Sequence, residues 1–129
     1  MQVFEKTIIV SKNDLDKLNH VNNVRYVQWV QNIAEAHWLK NATEDILNNY
    51  FWVLVNHNID YKNQALLGDE LELKTFVSKS EGIYSTRQVE ITNQINGKLI
   101  VSSKTKWCLI NKKTNKPSRI PKEIALMFD

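Results

Sequence analysis

The segment from Asp14 to Tyr26 gathers most of the side chains that could do chemistry together. It reads DLDKLNHVNNVRY and holds two carboxylates, one histidine and three asparagines within thirteen positions. A carboxylate such as Asp16 can act as a general base or as a nucleophile, and a nearby histidine can orient it or a water molecule. No other window places ionisable and amide groups beside the start of a helical pattern. We therefore expect the chemistry in this segment and interpret the rest of the chain as its scaffold.

Part of this segment is also expected to start a helix. Asn22 is a good N-cap, because its side-chain oxygen can accept hydrogen bonds from the free amides of the first turn. Asp14 is interpreted as a cap for the same reason. The free amides around Asn23 and Val24 point out of the positive end of the helix, so they are candidate donors to a negative charge.

The other reactive side chains are expected to be structural, with one exception. His37 lies on or beside the apolar face of the helix, and His57 lies in a predicted strand. Cys108 sits in an apolar strand with no histidine nearby in sequence, so we interpret it as a packing residue. His20 is the exception, because it could either assist Asp16 or simply hydrogen-bond the backbone of a loop.

The helix that follows is the longest in the sequence and is predicted from Asn22 to about Lys40. Its polar residues recur at intervals of three and four and form one stripe: Arg25, Gln28, Asn32 and Glu35. Apolar residues occupy much of the remaining circumference: Val24, Val27, Val30, Ile33, Ala34 and Trp38. A helix with so wide an apolar surface is expected to be buried on more than one side.

The remaining elements are predicted mainly from alternating polar and apolar residues. An opening strand is predicted over Val3–Val10, and Thr43 is expected to cap a short second helix, TEDILNN. Four further strands are predicted at about residues 51–61, 71–77, 83–92 and 98–110. The last two are joined by Asn96-Gly97, a strong hairpin signal, so they should be antiparallel neighbours.

Turn and helix signals complete the predicted order. Gly68-Asp69 marks a tight turn between strands, and Pro121 is expected in the first turn of a short closing helix, KEIALMF. The order is therefore strand, long helix, then four strands forming an antiparallel set. This order indicates an α+β fold in which the antiparallel sheet curls around one buried helix.

Length and composition predict one globular domain over residues 1–129. The single cysteine, Cys108, cannot form an internal disulfide, and no Cys/His cluster could hold zinc. We expect no metal and no redox cofactor. The N-terminus lacks a secretory signal pattern, and no stretch approaches the roughly 20 apolar residues that cross a bilayer. A reducing, cytoplasmic location without a membrane partner is therefore expected.

The basic charge of the chain is local. The net charge is +3, but five basic residues and no acidic residue lie between Asn111 and Lys122. Such a patch is either a solvated loop or a docking surface for a phosphorylated ligand or an acidic partner. A nucleic-acid partner is not expected, because the patch lacks interleaved aromatic residues.

The segment from Asp14 to Tyr26 resembles the signature DxxxHVNNxxY of the hotdog-fold acyl thioesterases. These include the 4-hydroxybenzoyl-CoA thioesterase type and the acyl-ACP thioesterases of plants and bacteria. The match is carried by Asp16, His20, Val21, Asn22, Asn23 and Tyr26, followed by Trp29. Three later features also resemble the family in order: Asp60-Tyr61, Gly68-Asp69, and the stretch from Thr105-Lys106-Trp107 to Pro121. The resemblance covers nearly the whole chain.

This resemblance implies a fold, an assembly and a reaction. The fold is the hotdog fold, in which a curved five-stranded antiparallel sheet wraps around one long central helix. Subunits pair through their sheets into homodimers, sometimes homotetramers, with active sites at the subunit interface. The reaction is hydrolysis of the thioester of an acyl-CoA or acyl-ACP to a free acid and a thiol.

The resemblance also assigns roles to residues of the motif. The implied catalytic carboxylate is Asp16, as general base or nucleophile, with His20 implicated beside it in the plant acyl-ACP branch. The amides at the helix start, around Asn23, are the candidate oxyanion donors. The expected substrate-binding residues are Asn22, Val24, Tyr26, Trp29 and Gln64. The chain departs from the plant branch at Leu18, where that branch has an asparagine, and near Gln64, where it has a glutamate.

Two alternative functions use the same fold. Hydratases and dehydratases carry a motif resembling D-x-N-P-x-H, which this chain does not contain. A non-catalytic acyl-CoA-binding protein would keep the helix and lose the chemistry, and the retained Asp16 argues against it. The sequence leaves open the acyl chain length, the choice between CoA and acyl carrier protein, and the choice between dimer and tetramer.

Overall fold

An antiparallel sheet and one long helix account for most of the chain. The computed structural model describes residues 1–129. After a 3₁₀ turn at Lys12–Asp14, the longest helix is α1, Asn23–Asn41, and the shorter helices are α2, Glu44–Asn49, and α3, Lys122–Leu126. The strands are β1 Phe4–Ile9, β2 Tyr50–Tyr61, β3 Glu70–Glu81, β4 Tyr84–Asn93, β5 Leu99–Asn111 and β6 Lys116–Pro117. None of the helices is long and apolar enough to span a membrane.

The sheet has the order β1-β3-β4-β5-β2, and all its neighbouring strands are antiparallel. Irregular register interrupts the β2–β5, β3–β4 and β4–β5 pairs, and such bulges increase strand twist. The predicted hairpin between β4 and β5 is confirmed, with Gly97 at a φ of +75° in its turn. The predicted α+β fold, a curved antiparallel sheet around a long central helix, is likewise confirmed.

Two short elements differ from the prediction. The two-residue strand β6 pairs with the end of β5, so it adds a sixth strand to the sheet. Pro121 is the N-cap of α3 and does not lie in its first turn, because its ψ of 150° keeps it extended. Both elements are too short to show a period in the sequence.

Helix α1 presents one broad apolar face to the sheet. Its buried residues recur at intervals of three and four: Tyr26, Trp29, Val30, Ile33, Ala34, His37 and Trp38. Val24, which is expected on the apolar face, is 72% exposed. The prediction of burial on more than one side is therefore wrong for the outer side of the helix in the single chain. The sheet covers the buried face, and Ile46, Ile124 and Phe128 pack beside Trp38 near its C-terminal end. The exposed side of α1 is free to contact a substrate or another subunit.

Candidate active site

A short closed loop places Asp16 and His20 side by side before α1. Leu15 and Val21 form an antiparallel bridge, and the Asp16 N–H donates to the His20 carbonyl at 2.7 Å. Asn19 adopts the left-handed conformation, with a φ of 62°, which asparagine tolerates better than most residues. The loop therefore returns the chain directly to the N-cap of the helix.

The Asp16 carboxylate organises this loop and still keeps a free oxygen. Its Oδ1 accepts from the backbone N–H of Leu18 at 2.8 Å and from that of His20 at 3.1 Å. Asp16 is exposed, and its Oδ2 accepts no hydrogen bond from the chain. One oxygen thus fixes the orientation of the carboxylate, and the other is available to a water molecule or a substrate.

The loop is anchored to α1 by an ion pair. Arg25 Nε lies 3.0 Å from Asp14 Oδ1, and its guanidinium also donates to the Asn13 carbonyl at 3.1 Å. The other oxygen of Asp14 accepts from the Ser11 N–H at 2.8 Å. The expected cap role of Asp14 at the long helix is wrong, because Asp14 is the last residue of the 3₁₀ turn and its carboxylate bonds back to Ser11, the N-cap of that turn. The sequence places Arg25 only in the polar stripe of α1. The one sequence signal that Arg25 anchors the loop is that its charge is opposite to that of Asp14 in the same segment.

The N-terminus of α1 offers one unused backbone amide. Asn22 is the N-cap, as predicted, and its Oδ1 accepts from the Val24 N–H at 3.1 Å. The Arg25 N–H donates to the Asn22 carbonyl at 2.8 Å. The Asn23 N–H has no acceptor in the chain, because the first residue of a helix precedes the i to i−4 pattern. Of the two amides expected to bind a negative charge, that of Asn23 is therefore free.

Two predicted substrate-binding residues lie in the core. Tyr26 is 3% exposed, and its hydroxyl accepts from the Ala65 N–H at 3.0 Å. Trp29 is buried against it, edge to face, with ring centroids 5.6 Å apart. Burial raises the pKa of the Tyr26 phenol above its usual value. Gln64, one residue before Ala65, is exposed, so Tyr26 positions the loop that carries it.

The remaining reactive side chains lie away from the loop. His37 is completely buried on α1, and His57 Nε2 is 2.8 Å from Ser103 Oγ in the sheet. Burial lowers the pKa of His57 below its usual value. Cys108 is buried and free. No three His, Cys, Asp or Glu side chains come together as metal ligands.

A cavity of about 540 Å³ lies at the other end of α1. It is bounded by the C-terminal half of α1, α2, the start of β2 and the inner face of β4 and β5. None of the eight predicted site residues lines it. Glu35, on its α1 wall, is about 18 Å along the helix from Asn23, at about 1.5 Å per residue. Within one chain, the Asp16 loop and this cavity are therefore separate.

Comparison with known proteins gives a consistent set of matches. A family model described as "Acyl-ACP thioesterase N-terminal domain" matches residues 1–128. The long-chain acyl-CoA thioesterase FadM of Escherichia coli is 29% identical over 115 residues, which cover 85% of each chain.

Solved thioesterase structures have the same fold. The chain superposes on YbaW, a probable thioesterase from Escherichia coli, with a TM-score of 0.81 and 26% identity, over 95% of this chain and 94% of that one. It superposes on Slr0204, a 1,4-dihydroxy-2-naphthoyl-CoA thioesterase from Synechocystis, with a TM-score of 0.85 and 18% identity, over 98% and 96% of the two chains.

Proposed function

Because this chain belongs to the acyl-ACP thioesterase family and is a thioester hydrolase, we propose that it cleaves an acyl-CoA or acyl-ACP at the Asp16 loop. One observation carries the location of the site. Asp16 is held by two backbone N–H groups through Oδ1, keeps Oδ2 free, and lies in the loop that leads into the N-terminus of α1. Water is consumed, and a free acid and a thiol are released.

Two routes are open to the Asp16 carboxylate. As a general base, Oδ2 takes a proton from water while the water oxygen attacks the thioester carbonyl. As a nucleophile, Oδ2 attacks the carbonyl itself, the thiolate leaves, and water then hydrolyses the resulting anhydride. Both routes need an exposed carboxylate that does not rotate freely, which the two backbone hydrogen bonds to Oδ1 provide.

The Asn23 amide is the proposed oxyanion donor. It is the unused N–H at the positive end of α1, whereas the Val24 N–H is occupied by the cap. Asn22 therefore acts indirectly, by fixing the helix start. The side chains of Leu18 and Val24 are 73% and 72% exposed beside the loop, and they offer an apolar surface to the acyl group.

His20, Tyr26, Trp29 and Gln64 complete the proposed site. His20 is half-buried in the loop and either orients water or polarises the thioester carbonyl. Tyr26 and Trp29 support the helix start from the core, and Tyr26 also fixes the loop that presents Gln64 to substrate.

The proposed assembly is a homodimer, or a dimer of dimers, with sites at the subunit interface. Strand β2 lies at an edge of the sheet, and no residue in it is fully buried, although it carries the apolar run FWVLV. An exposed apolar edge strand is a pairing surface. The basic segment Asn111 to Lys122 is proposed to hold the phosphates of CoA or the acidic face of an acyl carrier protein.

Substitution of Asp16 separates its chemical role from its structural role. Asp16→Asn keeps Oδ1 as an acceptor for the two amides and removes the charge, so we expect the fold to remain and hydrolysis to fall by at least about a hundredfold. Asp16→Ala loses the loop hydrogen bonds as well and should also lower the denaturation midpoint. Hydrolysis is measured on a panel of acyl-CoA esters with a thiol-reactive dye.

The matched control is Asp14→Asn, which perturbs the ion pair to Arg25 without touching Asp16. Near-normal turnover by Asp16→Asn would remove Asp16 from the mechanism. If the wild-type protein binds acyl-CoA but hydrolyses no member of the panel, the chain is a binding protein. If the wild-type protein does hydrolyse acyl-CoA, a single turnover in isotope-labelled water distinguishes the two routes, since only the nucleophile route leaves label in the Asp16 carboxylate.

A further inference from the structure

Arg87 is a buried cation without an anionic partner. It is 5% exposed, and its NH1 donates to His37 Nδ1 at 2.8 Å and to Thr75 Oγ1 at 3.0 Å. None of the four ion pairs in the structure involves Arg87. Burial lowers the pKa of Arg87 to about 10, and no neighbouring acid opposes that shift. A charged group in such a position is costly unless an anion pairs with it.

His37 does not supply the missing charge. A guanidinium can only donate, so Nδ1 of His37 is an acceptor and Nε2 carries the proton, which it donates to Gln2 Oε1 at 2.7 Å. The ring is packed between Phe4, which stacks on it, and Phe128, which meets it edge-on. Burial, then Arg87, then Lys40 lower the pKa of His37 to about 4, so the ring is neutral at physiological pH.

The unused nitrogens of Arg87 reach accessible space. NH1 uses both of its hydrogens, whereas Nε and NH2 have no acceptor in the chain. No fully buried side-chain nitrogen or oxygen in the structure lacks a hydrogen-bond partner. Nε and NH2 must therefore contact solvent-accessible space, and Arg87 lines the cavity of about 540 Å³.

The walls of this cavity are largely aromatic. Six aromatic side chains line it: Trp38, Tyr50, Phe51, Trp52, Trp107 and Phe128. The charged residues there are Arg87, Lys112 and Glu35, which leave one net positive charge. Its size is within the range of about 300–1,000 Å³ that is typical of small-molecule sites. An apolar ligand with one anionic group would satisfy both the walls and Arg87.

We propose that this cavity binds an apolar carboxylic acid as its anion, with the carboxylate accepting from Nε and NH2 of Arg87. The parallel N–H groups of a guanidinium match the two oxygens of a carboxylate. The apolar body lies against the tryptophan rings. The acid released by thioester hydrolysis belongs to this class. The proposal rests on the proposed function only where that released acid is taken as the ligand.

The four tryptophans provide a direct test. Trp38, Trp52 and Trp107 line the cavity, whereas Trp29 lies in a separate core cluster. Octanoate and 2-naphthoate, titrated into isotope-labelled protein, should shift the indole N–H resonances of the first three and leave that of Trp29 in place. The matched neutral probes, octan-1-ol and 2-naphthylmethanol, should bind about tenfold more weakly or worse.

Substitutions assign the preference to Arg87. Arg87→Met should weaken acid binding by about tenfold or more and make acid and alcohol equal. Lys112→Met is the matched control, because it removes the other cation of the cavity and should keep the preference for the acid. If Arg87→Met does not fold, Ala34→Leu fills the cavity from α1 with Arg87 intact and should abolish the indole shifts.

Binding is measured separately from hydrolysis, so Asp16→Asn should take up octanoate with wild-type affinity. Equal binding of acids and alcohols to the wild-type protein would overturn the proposal. So would shifts confined to Trp29, or an acid preference that survives Arg87→Met and disappears in Lys112→Met.

Discussion

At the scale of the residue, His37 illustrates how burial converts a titratable side chain into a structural one. It makes its two ring hydrogen bonds to Gln2 and Arg87, and the bond to Arg87 requires the neutral ring, because Nδ1 must accept from the guanidinium. Protonation at Nδ1 would place a second cation against the guanidinium of Arg87. The fold therefore depends on His37 remaining neutral, which gives the stability a pH dependence.

That dependence has a definite sign. The pKa of His37 is about 4 in the folded chain against 6.5 for an ordinary histidine, so the unfolded state binds a proton more readily. The contribution of His37 to the free energy of unfolding is fully present above about pH 6.5 and is lost as the pH falls towards 4. Between about pH 7 and pH 4.5 the wild-type protein should lose about 2–3 kcal/mol more than His37→Gln in urea unfolding. His57 also has a lowered pKa, but it is present in both proteins. Parallel pH profiles would contradict this account.

A site residue could be predicted from the sequence when its interaction partners lie close to it along the chain. Asp16 accepts from backbone amides two and four residues further along the chain, and Asn22 accepts from the amide two residues further along. A short sequence motif therefore includes both partners of each of these hydrogen bonds. The contact between Arg87 and His37 joins residues fifty positions apart. Only the fold brings them together, and no local pattern marks Arg87 as a residue of interest.

At the scale of the element, Tyr26 joins helix α1 to the connection between β2 and β3. Its hydroxyl accepts from the N–H of Ala65, a residue that is completely buried. Tyr26→Phe should leave that N–H unsatisfied and lower the free energy of unfolding by about 1–3 kcal/mol, with little change in KM. Tyr61→Phe is the matched control, because Tyr61 is 45% exposed and its hydroxyl makes no hydrogen bond. A raised KM with unchanged stability would instead support direct contact between Tyr26 and the substrate.

Elements with a repeating pattern were predictable, and those fixed by a single contact were not. Strand β4 buries alternate residues along its whole length, and Val89 and Ile91 show that period in the sequence, whereas its other buried residues are polar. Helix α1 was predictable to within one residue at each end, because Asn22 caps it and its apolar spacing persists. Strand β6 exists only through its pairing with the end of β5, which sequence periodicity cannot reveal. The exposure of Val24 was not predictable, because period alone does not show how much of the circumference of a helix the sheet covers.

At the scale of the whole molecule, the two edges of the sheet differ in character. Strand β1 carries Glu5 and Lys6 along its exposed edge, which discourages further strand pairing. Strand β2 instead exposes Val53 and Val55, at 43% and 51%. A stable interface buries roughly 1,000 Å² or more, and a twelve-residue edge strand whose first half is apolar is a suitable centre for one. The proposed dimer therefore pairs through β2.

Charges placed on β2 should separate the subunits and reduce hydrolysis together, because the proposed active sites lie at the interface. The double variant Val53→Lys and Val55→Lys should run in light scattering near the chain mass of 15.1 kDa, whereas the wild-type protein should have a multiple of it. Ile95→Lys is the control, because Ile95 is 78% exposed in the turn before the start of β5, whereas Val53 pairs with Cys108 near the end of β5. A wild-type protein that is already a monomer would exclude the interface. A monomeric double variant with undiminished turnover would show that one chain contains the complete site. Charge repulsion at β2 would in that case have removed the partner subunit without removing any catalytic group.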